Sequence, residues 1–120
     1  MASKEDVILI VDDEDSTRSL LIGILELEGF NAIGFSNGVD ALQYMAQSDP
    51  PCLIVLDLRM PLMDGWELRS ALLKDQRLAK VPVVVVTAFD PTAGASLSAV
   101  RVFRKPVDLE ALLGVVRSNC

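Results

Sequence analysis

A chain of 120 residues, 51% hydrophobic and 23% charged, can bury one core, which excludes a disordered polypeptide and argues for a single domain over residues 1–120. A formal net charge of −6 with scattered basic residues disfavours direct nucleic-acid contact, and no apolar run is long enough to span a bilayer. The chain has no histidine. Histidine general acid–base catalysis, histidine metal sites and Ser-His-Asp or Cys-His nucleophiles are therefore excluded.

The start, Met1 to Asp6, is charged where a secretory leader turns apolar, so none is expected. Val7–Val11 is wholly apolar, as a strand covered on both faces requires. Leu20, Leu21, Ile24, Leu25 and Leu27 then recur at helical spacing, with Asp15 or Ser16 as the N-cap and Gly29 as the stop. Asn31–Phe35 reads as a second strand. Asn37 is expected to cap a helix carrying Val39, Leu42 and Ala46 on one face and ending before Pro50-Pro51.

Cys52–Leu56 reads as the third strand, followed by a loop with Pro61 and Asp64-Gly65 and a helix through Leu68, Leu72 and Leu73. Pro82–Val86 and Val100–Phe103 are the fourth and fifth strands. Asp108 should cap a last helix whose Leu109, Leu112, Leu113 and Val116 follow one face. The alternation implies an α/β, doubly wound parallel sheet with helices on both faces. The two cysteines form no disulfide framework: Cys52 reads as a small core residue, and a reducing cytoplasm is the expected setting.

In such a sheet, ligands bind at the carboxyl ends of the strands. Asp12-Asp13 follow the first strand, Asp57 the third, Thr87 the fourth, and Lys105 the fifth by one further residue. Carboxylates gathered at one edge repel each other unless a cation lies among them, and an all-oxygen set suits Mg²⁺ or Mn²⁺. A carboxylate beside such a metal and a lysine is equipped for phosphoryl transfer as the nucleophile. Asp57 stands alone at the end of a central strand and is the expected nucleophile, with Asp12-Asp13 on the metal.

At these residues the chain resembles the receiver domain of bacterial response regulators. The matching pieces are Ile10-Val11-Asp12-Asp13-Glu14, Leu56-Asp57-Leu58-Arg59-Met60-Pro61-Leu62-Met63-Asp64-Gly65, Val86-Thr87-Ala88 and Lys105-Pro106. The resemblance implies a flavodoxin-like fold with five strands in the order 2-1-3-4-5. It implies a phosphoacceptor switch: Asp57 takes phosphate from a histidine kinase or phosphotransfer protein and thereby changes binding to a downstream partner. It also implies that Asp13, Asp57 and the Arg59 backbone carbonyl bind Mg²⁺, with Asp12 assisting through water. Lys105 would pair with the phosphoryl group or Asp57, Thr87 would carry the switch, and Pro106 would follow a cis peptide. The chain would catalyse only its own phosphorylation and dephosphorylation, in the cytoplasm and away from membranes.

The chain departs from the family pattern in two places. Thr87 and Lys105 lie about one helical turn closer than is usual. The residues from Asp90 to Ser98 are poor helix formers, so a short or irregular fourth helix is expected. The usual aromatic switch position is Val102, with Phe103 pointing to the opposite face of the strand. Arg59 and Phe89 occupy the positions that tune phosphoryl lifetime in the family, where bulk would shield the acyl phosphate. A module that keeps the pocket but signals by association alone is the alternative function; an aspartate-nucleophile phosphatase is disfavoured by the adjacent Asp12-Asp13. The chain is expected to be either a single-domain regulator or a receiver cut from a longer protein.

Overall fold

The computed structural model describes residues 6–88 and 97–120. Five strands, β1 (Val7–Val11), β2 (Asn31–Phe35), β3 (Leu53–Asp57), β4 (Val83–Thr87) and β5 (Arg101–Arg104), form one sheet. All the pairings are parallel, in the order β2-β1-β3-β4-β5. The first two strands have the expected bounds. The other three run one residue further towards their carboxyl ends, which takes Asp57 and Thr87 into the ladder.

Among the described residues four helices cover the sheet: α1 (Asp15–Leu27), α2 (Gly38–Ala46), α3 (Gly65–Lys74) and α4 (Leu109–Asn119). Leu9, Val11, Ile54, Leu56, Val83 and Val85 bury against α2 and α3. The alternate residues Ile8, Ile10, Leu53, Val55, Val84 and Val86 bury against α1 and α4. The near-continuous apolar strand runs are thus explained by two covered faces, since successive side chains point to opposite sides. Phe89 and most of the stretch expected to form a fourth helix fall within residues 89–96, outside the described residues; of its last two residues, Leu97 is buried and Ser98 has φ 53°.

Several local expectations hold. Asn37 caps α2 by accepting the Asp40 N–H at 2.9 Å, and Asp108 caps α4 by accepting that of Ala111 at 3.1 Å. Gly29 ends α1 at φ 89°, a conformation that disfavours a Cβ. Asp64 does more than turn a loop. It forms a capping box with Glu67 and so starts α3.

Other expectations need correction. The N-cap of α1 is Glu14, not Asp15 or Ser16. The buried face of α2 is Ala41 and Met45, one position away from the expected stripe, and Ala46 is exposed. Leu20, Leu27 and Leu73 are also exposed rather than core, at 52%, 83% and 50%. Helical spacing placed them close to the apolar stripe, but the helix-to-sheet contact is narrower than the stripe.

The largest correction concerns the cysteines. Cys52 and Cys120 form a disulfide across 68 residues, with their Cα atoms 5.5 Å apart. Cys52 precedes β3 and Cys120 caps α4, so only the packing of α4 on the sheet brings them together.

Candidate functional site

Strand polarity places Asp12, Asp57, Thr87 and Lys105 at the same edge of the sheet. Asp12 follows β1, Asp57 and Thr87 end β3 and β4, and Lys105 follows β5. The Lys105 N–H donates to the Thr87 carbonyl at 2.8 Å, continuing the β4–β5 ladder and fixing where the lysine begins. The peptide from Lys105 to Pro106 is cis, as the resemblance implies.

Three carboxylates converge here. Asp12, Asp13 and Asp57 each offer an oxygen within 4.8 Å of the others. Asp12 and Asp57 are buried, at 2% and 6% exposure, whereas Asp13 faces the open side. Their charge is met by Lys105, whose Nζ lies 2.9 Å from Asp12, 3.6 Å from Asp57 and 3.5 Å from Glu14.

Burial and the neighbouring Asp12 push the Asp57 carboxyl up to about 7, against the pull of Lys105 and a hydrogen bond from the Arg59 backbone. Burial disfavours the Lys105 charge, but its hydrogen bond to Asp12 and the three acidic neighbours outweigh that, so its ammonium group is held more firmly. Glu14 is held below the usual carboxylate range by the Thr17 hydroxyl and by Lys105. One lysine does not balance the cluster. The excess negative charge and the all-oxygen donor set fit a hard divalent cation.

The supporting contacts show how rigidly Asp12 is held. Its backbone N–H donates to the Phe35 carbonyl at 3.0 Å, and its Oδ1 accepts the Glu14 N–H at 2.8 Å. Arg18 reaches back from α1 to the Asp12 carbonyl at 2.7 Å. Arg18 was not singled out from the sequence, although its place in the first turn of α1, six residues after Asp12, was a signal. Glu14 occupies the N-cap position of α1 without a side-chain capping bond, and its carboxylate lies 3.5 Å from Lys105.

Gly65 closes the floor of the site. Its N–H donates to the Leu58 carbonyl at 2.8 Å, and a Cβ there would lie 2.6 Å from the Asp57 carbonyl and 2.8 Å from the Leu58 Cα. Both are backbone atoms that cannot turn aside. Gly65→Ala is therefore expected to cost about 2 kcal/mol, as overpacking does. Urea unfolding checks this; an unchanged midpoint would show that the β3–α3 loop yields freely.

The residues expected to tune or switch the site divide. Arg59 is exposed, with its guanidinium carbon 5.9 Å from the centroid of the Trp66 ring. Val102 packs with the α2–α3 core and Phe103 with the α1–α4 core, confirming that they face opposite sides. Thr87 lies two positions after Val85 and shares its face, so the Phe103 ring is across the sheet from it. Beside Lys105, a pocket of about 350 Å³ is lined mainly by Thr17, Leu20, Leu21, Pro106 and Val107.

A model of the response regulator receiver domain family matches residues 8–117. The chain is 31% identical to Protein PilH of Pseudomonas aeruginosa over 115 residues, covering 92% of this chain and 94% of PilH. It is 34% identical to the DNA-binding dual master transcriptional regulator RpaA of Synechocystis over 115 residues, or 92% of this chain but 47% of RpaA. The chain thus spans about half the length of several curated relatives it matches. Among solved structures, a response regulator receiver protein from Pseudomonas putida superposes with a TM-score of 0.88 at 29% identity, covering 98% of this chain and 99% of that one. The Mn²⁺-bound form of the response regulator Rcp1 superposes with a TM-score of 0.76 at 28% identity, covering 94% and 90%.

Proposed function

Because the chain belongs to the response regulator receiver family, we propose that it is a phosphoacceptor switch whose nucleophile is Asp57. One observation carries this reading: a buried carboxylate at the end of β3 lies 3.6 Å from the Lys105 ammonium and within metal-sharing distance of Asp12 and Asp13. That geometry suits attack on a phosphoryl group better than it suits a purely structural ion pair, which would leave two carboxylates uncompensated.

The Asp57 carboxylate oxygen attacks phosphorus, forming an acyl phosphate while the bond from phosphorus to the donor's imidazole nitrogen breaks. The freed imidazole takes a proton from water. The donor is a histidine kinase or a phosphotransfer protein. Lys105 and the Thr87 hydroxyl stabilise the transferred oxygens. Asp12, Asp13, Asp57 and the Arg59 carbonyl would hold Mg²⁺ or Mn²⁺, which supplies charge neutralisation on the phosphoryl oxygens when bound. Hydrolysis of the acyl phosphate regenerates Asp57 and releases phosphate, so the chain acts on itself alone.

The pocket beside Lys105 is the entry for the donor, with exposed Leu20 at its rim. A kinase-linked switch belongs in the cytoplasm, where the phosphoryl supply is made. Among the described residues no helix is long and apolar enough to cross a membrane. Thr87 and Val102 would pass the change to a downstream protein or output domain; the Phe103 ring faces the other core and does not take part.

Acetyl phosphate with and without Mg²⁺, followed by intact mass and Trp66 fluorescence, tests the proposal. Mg²⁺-dependent addition of one phosphoryl group, lost in Asp57→Ala, is the expected result. No addition under any metal condition would favour a module that signals by association alone. Arg59 stands at the mouth of the site, so Arg59→Ala is expected to shorten the acyl-phosphate lifetime severalfold by admitting water. An unchanged dephosphorylation rate would remove Arg59 from that role.

A further inference from the structure

Cys52 and Cys120 are the only cysteines of the chain, and the fold brings them together from elements 68 residues apart. Cys52 is held in the sheet, its N–H donating to the Val7 carbonyl at 2.9 Å. Cys120 ends α4, its N–H donating to the Val116 carbonyl at 2.8 Å. Both residues are half-buried at the rim of the core between α4 and the sheet.

These placements bear on exchange. A disulfide sealed in a core is inaccessible to thiols, whereas one half-buried at the rim of a core can be reached by a small thiol. The remaining contacts of α4, through Leu112, Leu113 and Val116, do not depend on it. In a reducing compartment a bond of this kind is transient and redox-sensing rather than permanent. That last point rests on the cytoplasmic setting proposed above.

We propose that Cys52 and Cys120 form a reversible thiol–disulfide site that takes electrons from, or gives them to, a small thiol or disulfide such as glutathione, and thereby locks or frees the end of α4. In the oxidising direction the Cys120 thiolate attacks oxidised glutathione, forming a mixed disulfide and releasing one glutathione thiolate. The Cys52 thiolate then attacks the Cys120 sulfur and releases the second. Two protons and two electrons leave the protein, and one glutathione disulfide becomes two thiols.

The locked form joins the foot of β3 to the far end of the helix that starts just after Lys105 and Pro106. Cys52 is five residues before Asp57 on an extended chain, roughly 17 Å away. The lock therefore acts on the anchoring of α4 and on stability, not on the acyl-phosphate chemistry itself.

The test uses the 120-residue chain in glutathione buffers of graded oxidised-to-reduced ratio, quenched with iodoacetamide and read by intact mass. The expected result is a single transition from two alkylated cysteines to none, reversed by returning to reduced glutathione. Oxidised protein should melt on the order of 10 °C above reduced protein, because a closed loop of this length restricts the unfolded chain. Cys120→Ser and Cys52→Ala should each lose both the transition and the effect of reductant on Tm. Acetyl phosphate should label Asp57 in both redox forms, and that readout is scored separately, so failure of the phosphoacceptor reading is distinguishable. Two alkylated cysteines at every ratio, glutathione adducts without internal closure, or a bond that stays closed in the folded protein in excess reduced glutathione would each overturn the proposal.

Discussion

Lys105→Met is expected to slow acyl-phosphate formation by about 100-fold, the loss typical of removing one preorganised charge from a reacting oxyanion. The same change removes the ammonium group that lies 2.9 Å from Asp12 and 3.6 Å from Asp57. Breaking one partner out of a buried pair leaves an uncompensated charge and costs about 3 kcal/mol. The metal-free variant should therefore be less stable, with a lower urea midpoint. Saturating Mg²⁺ should restore much of that stability, because a cation again sits among the carboxylates, yet leave the rate low. The two readouts separate folding from chemistry: full recovery of rate with Mg²⁺ would mean that Lys105 serves only as a counter-ion.

The second large effect is a pH dependence with an unusual sign. Asp57 is pushed up from the usual 3.8 to about 7, first by burial and then by Asp12. Its folded form therefore binds a proton that the unfolded chain has released, and metal-free stability falls as pH rises from about 4 to about 7. The full shift corresponds to about 4 kcal/mol. Water reaches the cluster from the Asp13 side and screens it, which brings the expected loss to about 2 kcal/mol. The chain has no histidine to titrate in the same window, so the signal is clean.

Urea unfolding in EDTA at pH 5.5 and pH 8 is the measurement. The wild-type protein should be less stable at pH 8, and Asp57→Asn should remove most of that difference and be the more stable protein at pH 8. Mg²⁺ at about 100 times its dissociation constant should return about 2.7 kcal/mol to the wild type and less to the variant. Equal stability of the wild type at both pH values without metal would mean that Lys105 alone balances the cluster. A site tuned for phosphoryl uptake is, on this account, held at a cost to the metal-free fold.

Residue pattern alone determined the strands and the polar residues at their ends. Runs such as Val7–Val11 and Val83–Val86 are apolar at every position because both faces of the sheet are covered, and that signal is local. Asp12, Asp57 and Thr87 each terminate such a run and Lys105 follows the more polar β5, so a parallel sheet brings them to one edge whatever the details of packing. The caps at Asn37 and Asp108 were legible for the same reason: each side chain bonds a backbone group three residues away.

The tertiary structure decided what depends on partners distant in sequence. Which stripe of α2 is buried follows from its contact with the sheet, and pattern placed it one residue away from Ala41 and Met45. Leu20, Leu27 and Leu73 are apolar and correctly spaced, yet no described element covers them. Lys105 could have paired with Asp57 first; the actual order, Asp12 before Asp57, is set by how β1 and β5 end relative to β3. The disulfide is the clearest case. No spacing rule links Cys52 to Cys120, because their proximity exists only once α4 lies along the sheet and returns the end of the chain to the foot of β3.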